Sequence, residues 1–148
     1  MQIRSVEKSD ISEWSRMRSA LWPDSTDNHV AEIEEYFTGV SIDIVEAFVV
    51  ERPNGNLGGF IEINLRNFAE GSRSSQVPYI EAWYVDQDLR GKGVGKRLME
   101  KAEQWSLEKG FFELASDTEL ENIKSIAAHK ALGFKEVDRV VCFLKKLV

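Results

Sequence analysis

The chain has one cysteine, Cys142, in 148 residues. A lone thiol excludes an internal disulfide and any cysteine-rich metal site. Histidine is almost as scarce. His29 and His129 stand far apart and form no HExxH or similar pairing, so the spacing a zinc centre needs is missing and no metal is expected. No stretch of about 18 apolar residues is present, which excludes a membrane-spanning helix. The opening residues Met1-Gln2-Ile3-Arg4-Ser5-Val6-Glu7 lack the apolar core of a signal peptide, so a cytoplasmic protein is expected. Basic residues are outnumbered, 19 Lys and Arg against 25 Asp and Glu, for a net charge of −6. That balance argues against nucleic acid as a partner.

What is present is a 43% hydrophobic chain of the length of one domain. Its charge is unevenly spread. Residues 90–101 hold five basic side chains, Arg90, Lys92, Lys96, Arg97 and Lys101, and one acidic, Glu100; this +4 segment leaves −10 for the rest. A bound polyphosphate beside a small cationic substrate suits such a distribution, although acidic surfaces also serve solubility alone.

The stretch from Tyr79 to Leu98 organises the chain. An aromatic and β-branched run, Tyr79-Ile80-Glu81-Ala82-Trp83-Tyr84-Val85, reads as a strand. It ends in Arg90-Gly91-Lys92-Gly93-Val94-Gly95-Lys96, and an amphipathic pattern follows at once through Val94, Leu98, Ala102 and Trp105. Strand, glycine-rich turn and helix start together expose backbone N–H groups that cradle an anion. The turn lacks the Gly-Lys-Ser/Thr ending of a P-loop and the G-x-G-x-x-G spacing of a dinucleotide fold.

Around this centre the patterning predicts a strand at 3–6, helices at 10–21 and 29–38, and strands at 47–51 and 57–65 joined by the turn Pro53-Asn54-Gly55-Asn56. A polar loop at 67–77 reads equally as a mobile connection or as a substrate-side flap. After the central helix come a short strand at 112–116, a helix at 122–132 closed by Gly133, and two antiparallel strands at 134–137 and 139–144. No repeat or low-complexity tract interrupts the order.

The glycine turn resembles the Q/R-x-x-G-x-G/A signature of the GNAT superfamily of N-acetyltransferases. A second segment, Asn122 followed by Ala127-Ala128-His129-Lys130-Ala131-Leu132-Gly133-Phe134, is similar to the superfamily's N-x(4)-A-x-Y-x-K-x-G-F motif, with histidine in place of tyrosine. The element order β-α-α-β-β-β-α-β-α-β-β covers the whole chain. The resemblance implies one GNAT acetyltransferase domain over 1–148, an α/β (α+β) fold whose mixed central sheet of six to seven strands splays between strands 4 and 5, with four helices. Leu21-Trp22-Pro23, Ile80-Glu81, Glu113 through Thr118 and Arg139-Val140-Val141 look further like the aminoglycoside 6′-N-acetyltransferases.

From this resemblance, acetyl-coenzyme A is the implied co-substrate. Trp83, Tyr84 and Val85 would offer backbone groups to its pantetheine arm, Arg90 and Gly91 through Lys96 (Gly91, Lys92, Gly93, Val94, Gly95, Lys96) would hold its pyrophosphate, and Asn122 would contact it from the following helix. Trp22, Phe68, Glu81, Asp117 and Asp138 would line the acceptor site, and a homodimer is implied. The chain departs from these relatives in a shorter 67–77 loop with Phe68-Ala69 where they carry a tyrosine, and in Cys142 where they often carry an aromatic residue.

Acetyl transfer to an amine requires removing a proton, placing the nitrogen about 3 Å from the carbonyl and stabilising an oxyanion. Glu81 is the first choice for proton acceptor and Asp117 the second; a backbone N–H near Trp83 or Val85 serves the oxyanion. His129 could protonate the leaving thiolate, or it could be a packed helix histidine. Trp22 stacking on a sugar or cation and carboxylates holding ammonium groups would complete an aminoglycoside site. An acetyltransferase for another amine, such as a polyamine, an amino acid or a protein N-terminus, and a non-catalytic coenzyme-binding module remain as alternatives.

Overall fold

The computed structural model describes residues 1–148. It comprises strands β1 (Gln2–Ser5), β2 (Glu46–Glu51), β3 (Leu57–Arg66), β4 (Val77–Val85) and β5 (Ala115–Ser116). The helices are α1 (Ile11–Leu21), α2 (His29–Phe37), α3 (Val94–Glu108) and α4 (Ile123–Ala131). The strands form one sheet in the order β1-β2-β3-β4-β5. Every pairing is antiparallel except β4 with β5, so the sheet is mixed. No helix is long and apolar enough to cross a membrane.

Strand alternation sends side chains to two cores, one on each face. Ile61 and Ile63 of β3 pack with Leu98, Met99, Ala102 and Trp105 of α3. Phe60, on the other face, packs with Trp14 and Met17 of α1 and Ile33 of α2. Helix α1 forms because its apolar residues recur at helical spacing, and it stops where Pro23 cannot continue it. Helix α2 starts on Asn28, whose side chain accepts from the Ala31 N–H at 3.0 Å, and ends before Gly39, at φ 78°.

Two irregularities position the site. Along β3 and β4 the register runs Glu62 with Ala82 and then Ile63 with Ile80, so Glu81 is an extra residue on β4. This bulge puts Ile80 in the α3-side core and Ala82 in the α1/α2-side core, with Glu81 between them beside Asn64 and Arg66. The second is the short contact of β4 with β5, limited to Tyr79 with Ala115 and Ile80 with Ser116. From Glu81 onward β4 has no partner on that side, and the sheet opens there as expected.

The sheet has five strands, not six to seven. The predicted strands at 134–137 and 139–144 are absent, and β5 is two residues long instead of five. A strand exists only through its ladder, and no residue after Phe134 makes a backbone–backbone hydrogen bond. Phe134 still packs on the α3-side core and Val137 lies against Gly71, but beyond them the segment is exposed, with Phe143 at 92% and Leu144 at 93%. No residue beyond Ser106 is buried.

Candidate active site

The glycine turn delivers the anion cradle in detail. Gly91 and Gly93 have φ of 76° and 79°, and a Cβ at either would meet nothing within 4 Å. Glycine is required there by backbone conformation, and the space above the turn is open. Gly93 is the N-cap of α3 and no side chain caps the helix. The first amide of the helix with a backbone partner is Arg97, which donates to the Gly93 carbonyl at 3.1 Å. The amides of Gly91, Lys92, Gly93, Val94, Gly95 and Lys96 therefore donate to nothing in the chain. Six consecutive free N–H groups at the positive end of a 15-residue helix, with Lys92, Lys96 and Arg97 exposed beside them, make a strong anion site.

The cradle is fixed to the sheet from both sides. Gly95 lies against Trp83, where a Cβ would come within 3.4 Å of the ring, and the Trp83 indole donates to the Gly95 carbonyl at 3.0 Å. Arg90 Nε donates to the Val85 carbonyl at 2.9 Å. Beneath the turn, Asp86 accepts from Arg16, Arg52 and the Tyr84 hydroxyl at 3.0–3.1 Å. Burial alone would push the Asp86 carboxyl up; these three partners outweigh it and hold it below the usual carboxylate range.

On the α1/α2 face of β4 lies a cavity of about 760 Å³. Trp22 and Glu81 line it, together with Arg18, Glu62, Asn64 and Arg66, and with carboxylates at Asp24, Asp27, Glu32, Asp43 and Glu119. Seven acidic side chains face two arginines. Glu62, 1% exposed, accepts from the Trp14 indole and from Arg18 Nε, both at 2.9 Å. Burial pushes the Glu62 carboxyl up, against the pull of Arg18 and Trp14. Arg18 also reaches Glu32 and lies over the Trp22 ring at 5.1 Å, which sets the orientation of that indole.

Glu81 is held by three donors. Arg66 Nε and Nη2 bond its two oxygens at 2.9 and 2.6 Å, and Asn64 Nδ2 donates at 2.8 Å. The Glu81 pair raises the Arg66 guanidinium above its usual value. The same guanidinium lies 3.6 Å from the centre of the Tyr79 ring. The Tyr79 hydroxyl donates to Asp117 at 2.6 Å, and burial followed by that bond pushes the phenol far above its ordinary range. Asp117 thus joins the cluster through Tyr79 without lining the cavity itself.

The other predicted residues are placed as follows. His129 Nδ1 lies 2.7 Å from the Ser125 carbonyl, which can only accept, so Nδ1 carries the proton. Its Nε2 lies 2.8 Å from the Ser116 hydroxyl, and the ring packs edge-on against Trp83 and Phe134. Asn122 caps α4, accepting from the Ser125 N–H at 3.1 Å. Phe68 is 66% exposed and Asp138 sits on the outward segment; neither lines the cavity. The 67–76 loop is tied down by Ser72 and Ser74, whose hydroxyls donate to Glu113 at 2.7 and 2.8 Å.

Arg18, Glu62, Asn64 and Arg66 are site residues that pattern reading passed over. Glu62 had a signal: a carboxylate inside the apolar run Phe60-Ile61-Glu62-Ile63 must have a buried cation. Arg66 had none, since an arginine at a strand end is ordinary.

Comparison with known proteins bears on this geometry directly. The model of the acetyltransferase (GNAT) family matches residues 11–134. The chain belongs to that family. It is 41% identical over 146 residues to an aminoglycoside N(6′)-acetyltransferase type 1 of Klebsiella aerogenes, covering 98% of this chain and 96% of the relative. It is 36% identical to the enzyme of the same name from Stenotrophomonas maltophilia, covering 95% and 90%. Among solved structures it is similar to AAC(6′)-Iy in complex with the bisubstrate analogue CoA-S-monomethyl-acetylneamine, with a TM-score of 0.87 and 34% identity over 98% of this chain and 97% of that one. The apo aminoglycoside 6′-N-acetyltransferase AAC(6′)-IG of Acinetobacter haemolyticus matches with a TM-score of 0.85 and 28% identity over the whole of both chains.

Proposed function

We propose that the chain acts as one domain over 1–148 that transfers the acetyl group of acetyl-coenzyme A to the 6′-amino group of an aminoglycoside, within a ternary complex. The observation that carries this reading is the pairing, across one strand, of six free amides with a cavity holding seven carboxylates. A diphosphate suits the first and a polyammonium sugar the second. The full-length likeness to aminoglycoside acetyltransferases supports it.

Acetyl-coenzyme A supplies an acetyl thioester. Gly91 through Lys96 hold its pyrophosphate, assisted by Arg90, and the unpaired edge of β4 at Trp83, Tyr84 and Val85 takes its pantetheine arm. A backbone N–H of this edge stabilises the oxyanion. Asn122, at the start of α4, contacts the coenzyme. Trp22 stacks on the acceptor and the cavity carboxylates hold its ammonium groups; Asp117, joined to the cluster through Tyr79, and Asp138 and Phe68, both outside the cavity, are assigned to the acceptor by resemblance to the relatives alone. Glu81 takes the proton, directly or through a water, with Asp117 as the second candidate. A thiolate is an adequate leaving group, with a reference pKa of about 8.5. His129, with both nitrogens bonded, acts on it only through Ser116.

A second copy of the chain completes the fold in this reading. Residues 138–148, beyond the contact of Val137 with Gly71, form no helix or strand and expose Val140, Val141, Phe143, Leu144 and Leu147. Each copy also leaves the edge of β5 open, beside a groove of about 590 Å³ that includes Val77, Phe112, Leu114, Leu132 and Phe134. Arm and groove both present apolar side chains, and a homodimer that exchanges the arms beyond Val137 would cover both. Its place of action is the cytoplasm, where acetyl-coenzyme A is made.

Mass spectrometry of mixtures with acetyl-coenzyme A and kanamycin, tobramycin or spermidine, with NMR of the product, tests the substrate. Acetylation at the 6′ nitrogen is expected; activity on spermidine alone would replace the drug by a polyamine. Coenzyme binding without turnover on any amine would leave only a binding module.

A further inference from the structure

The cavity holds two arginines of very different standing. Arg18 has a side chain 7% exposed and is saturated by Glu62 and Glu32. Arg66 is 39% exposed and has one carboxylate partner, Glu81. Both Glu81 oxygens are engaged by that guanidinium. A positive group therefore already occupies the carboxylate that an incoming ammonium has to reach.

We propose that Arg66 is an internal competitor for the ammonium subsite: it occupies Glu81 in the free protein, and a substrate amine binds there only by displacing it. The proposal rests on the reading of the cavity as the amine site. Three features make Arg66 suited to leaving. Its side chain is partly in solvent on a long, rotatable stem. Its stacking platform, Tyr79, remains available when the Glu81 bonds break. A second carboxylate, Asp117, is bonded to the hydroxyl of that same ring and already acts on the guanidinium by its charge. Arg18 is 7% exposed with both of its carboxylates, Glu62 and Glu32, already bonded at once, and stays.

Such a competitor lowers the affinity of every amine that uses Glu81 by one common factor, the ratio of all molecules to those with Glu81 free. A general field effect behaves differently, because it grows with the number of charges on the ligand. Arg66→Lys separates the two. Lysine keeps the positive charge but loses the two-pronged, stacked grip of the guanidinium.

The test is calorimetric binding of kanamycin and of 6-amino-6-deoxyglucose, which carries a single ammonium, to wild type, Arg66→Lys, Glu81→Gln and the double variant. The competitor predicts about fivefold tighter binding of both ligands to Arg66→Lys. It also predicts less than a twofold difference between Glu81→Gln and the double variant. Unchanged or weaker binding to Arg66→Lys, a gain that persists in the Glu81→Gln background, or no binding of any amine overturns it. If kanamycin is not acetylated, the same four proteins are titrated with spermidine. A fivefold gain there that vanishes in the Glu81→Gln background retires the aminoglycoside reading and keeps the competitor.

Discussion

Residues up to Ser106 and residues beyond it are built to different standards. The first part contains every buried side chain, two cores on opposite faces of β1–β4, and internal charges that are paired. The second part contains β5, of two residues, helix α4 without a buried residue, and an arm without a backbone–backbone hydrogen bond. The contrast teaches where free energy is stored. Substitutions in the first part are felt by the isolated chain, whereas those in the second are felt through whatever covers it.

The sharpest way to break this comparison is at the arm. Replacing Phe143 and Leu144 together by aspartate removes two large apolar side chains, about 2 kcal/mol each, from the proposed interface. Light scattering and sedimentation are expected to show dimer association weakened by roughly 10³-fold or more; an unchanged dimer would mean that the arm lies elsewhere. Within the packed part, Glu62→Gln leaves the buried Arg18 with the half-exposed Glu32 as its only charge partner, and urea unfolding is expected to show a loss of about 3 kcal/mol. A smaller effect is expected below the glycine turn. Asp86→Asn is expected to cost about 1.5 kcal/mol at neutral pH, since hydrogen bonds to charged groups contribute on that order.

That last substitution also has a pH signature. The folded-state pKa values of Asp86 and of Asp10, which Arg4 and the Glu7 amide stabilise against the opposing effect of burial, lie below the ordinary aspartate value. Their contribution is complete above about pH 4 and is lost as pH falls through the folded values. Asp86→Asn should therefore flatten the acid limb of a stability–pH curve measured by thermal unfolding between pH 5 and 2. A limb as steep as that of the wild type would show that other carboxylates control it. At the small end, Ile123→Thr on the exposed face of α4 is expected to change stability by less than about 0.5 kcal/mol. A larger loss would mean that α4 is packed after all, and would erase the distinction between the two parts.

The same division explains what could be read from the sequence. In the packed part each element announces itself locally, by the spacing of Trp14 and Met17, the alternation around Phe60 and Ile61, or the Gly91-Lys92-Gly93 turn, and these elements lie within a few residues of expectation. The pattern Arg139-Val140-Val141-Cys142-Phe143-Leu144 is equally strand-like, yet forms no strand. Periodicity reports which residues seek burial but not which chain supplies the partner. At the site, the importance of Glu81 was legible because a carboxylate stood among aromatics. Its occupation by Arg66 and Asn64 was not, because that depends on a bulge joining two strands whose register no single segment encodes.

The extra residue on β4 makes the chemistry sensitive to count as well as to kind. Deleting Ile80 would carry Tyr79 into its place, off the face it shares with Arg66, and deleting Glu81 would close the bulge and remove the acid from the cavity. Such a variant keeps nearly the whole composition and both cores, yet loses the spatial order on which proton removal depends. Diversification of this segment is therefore confined to exchange of side chains at constant length.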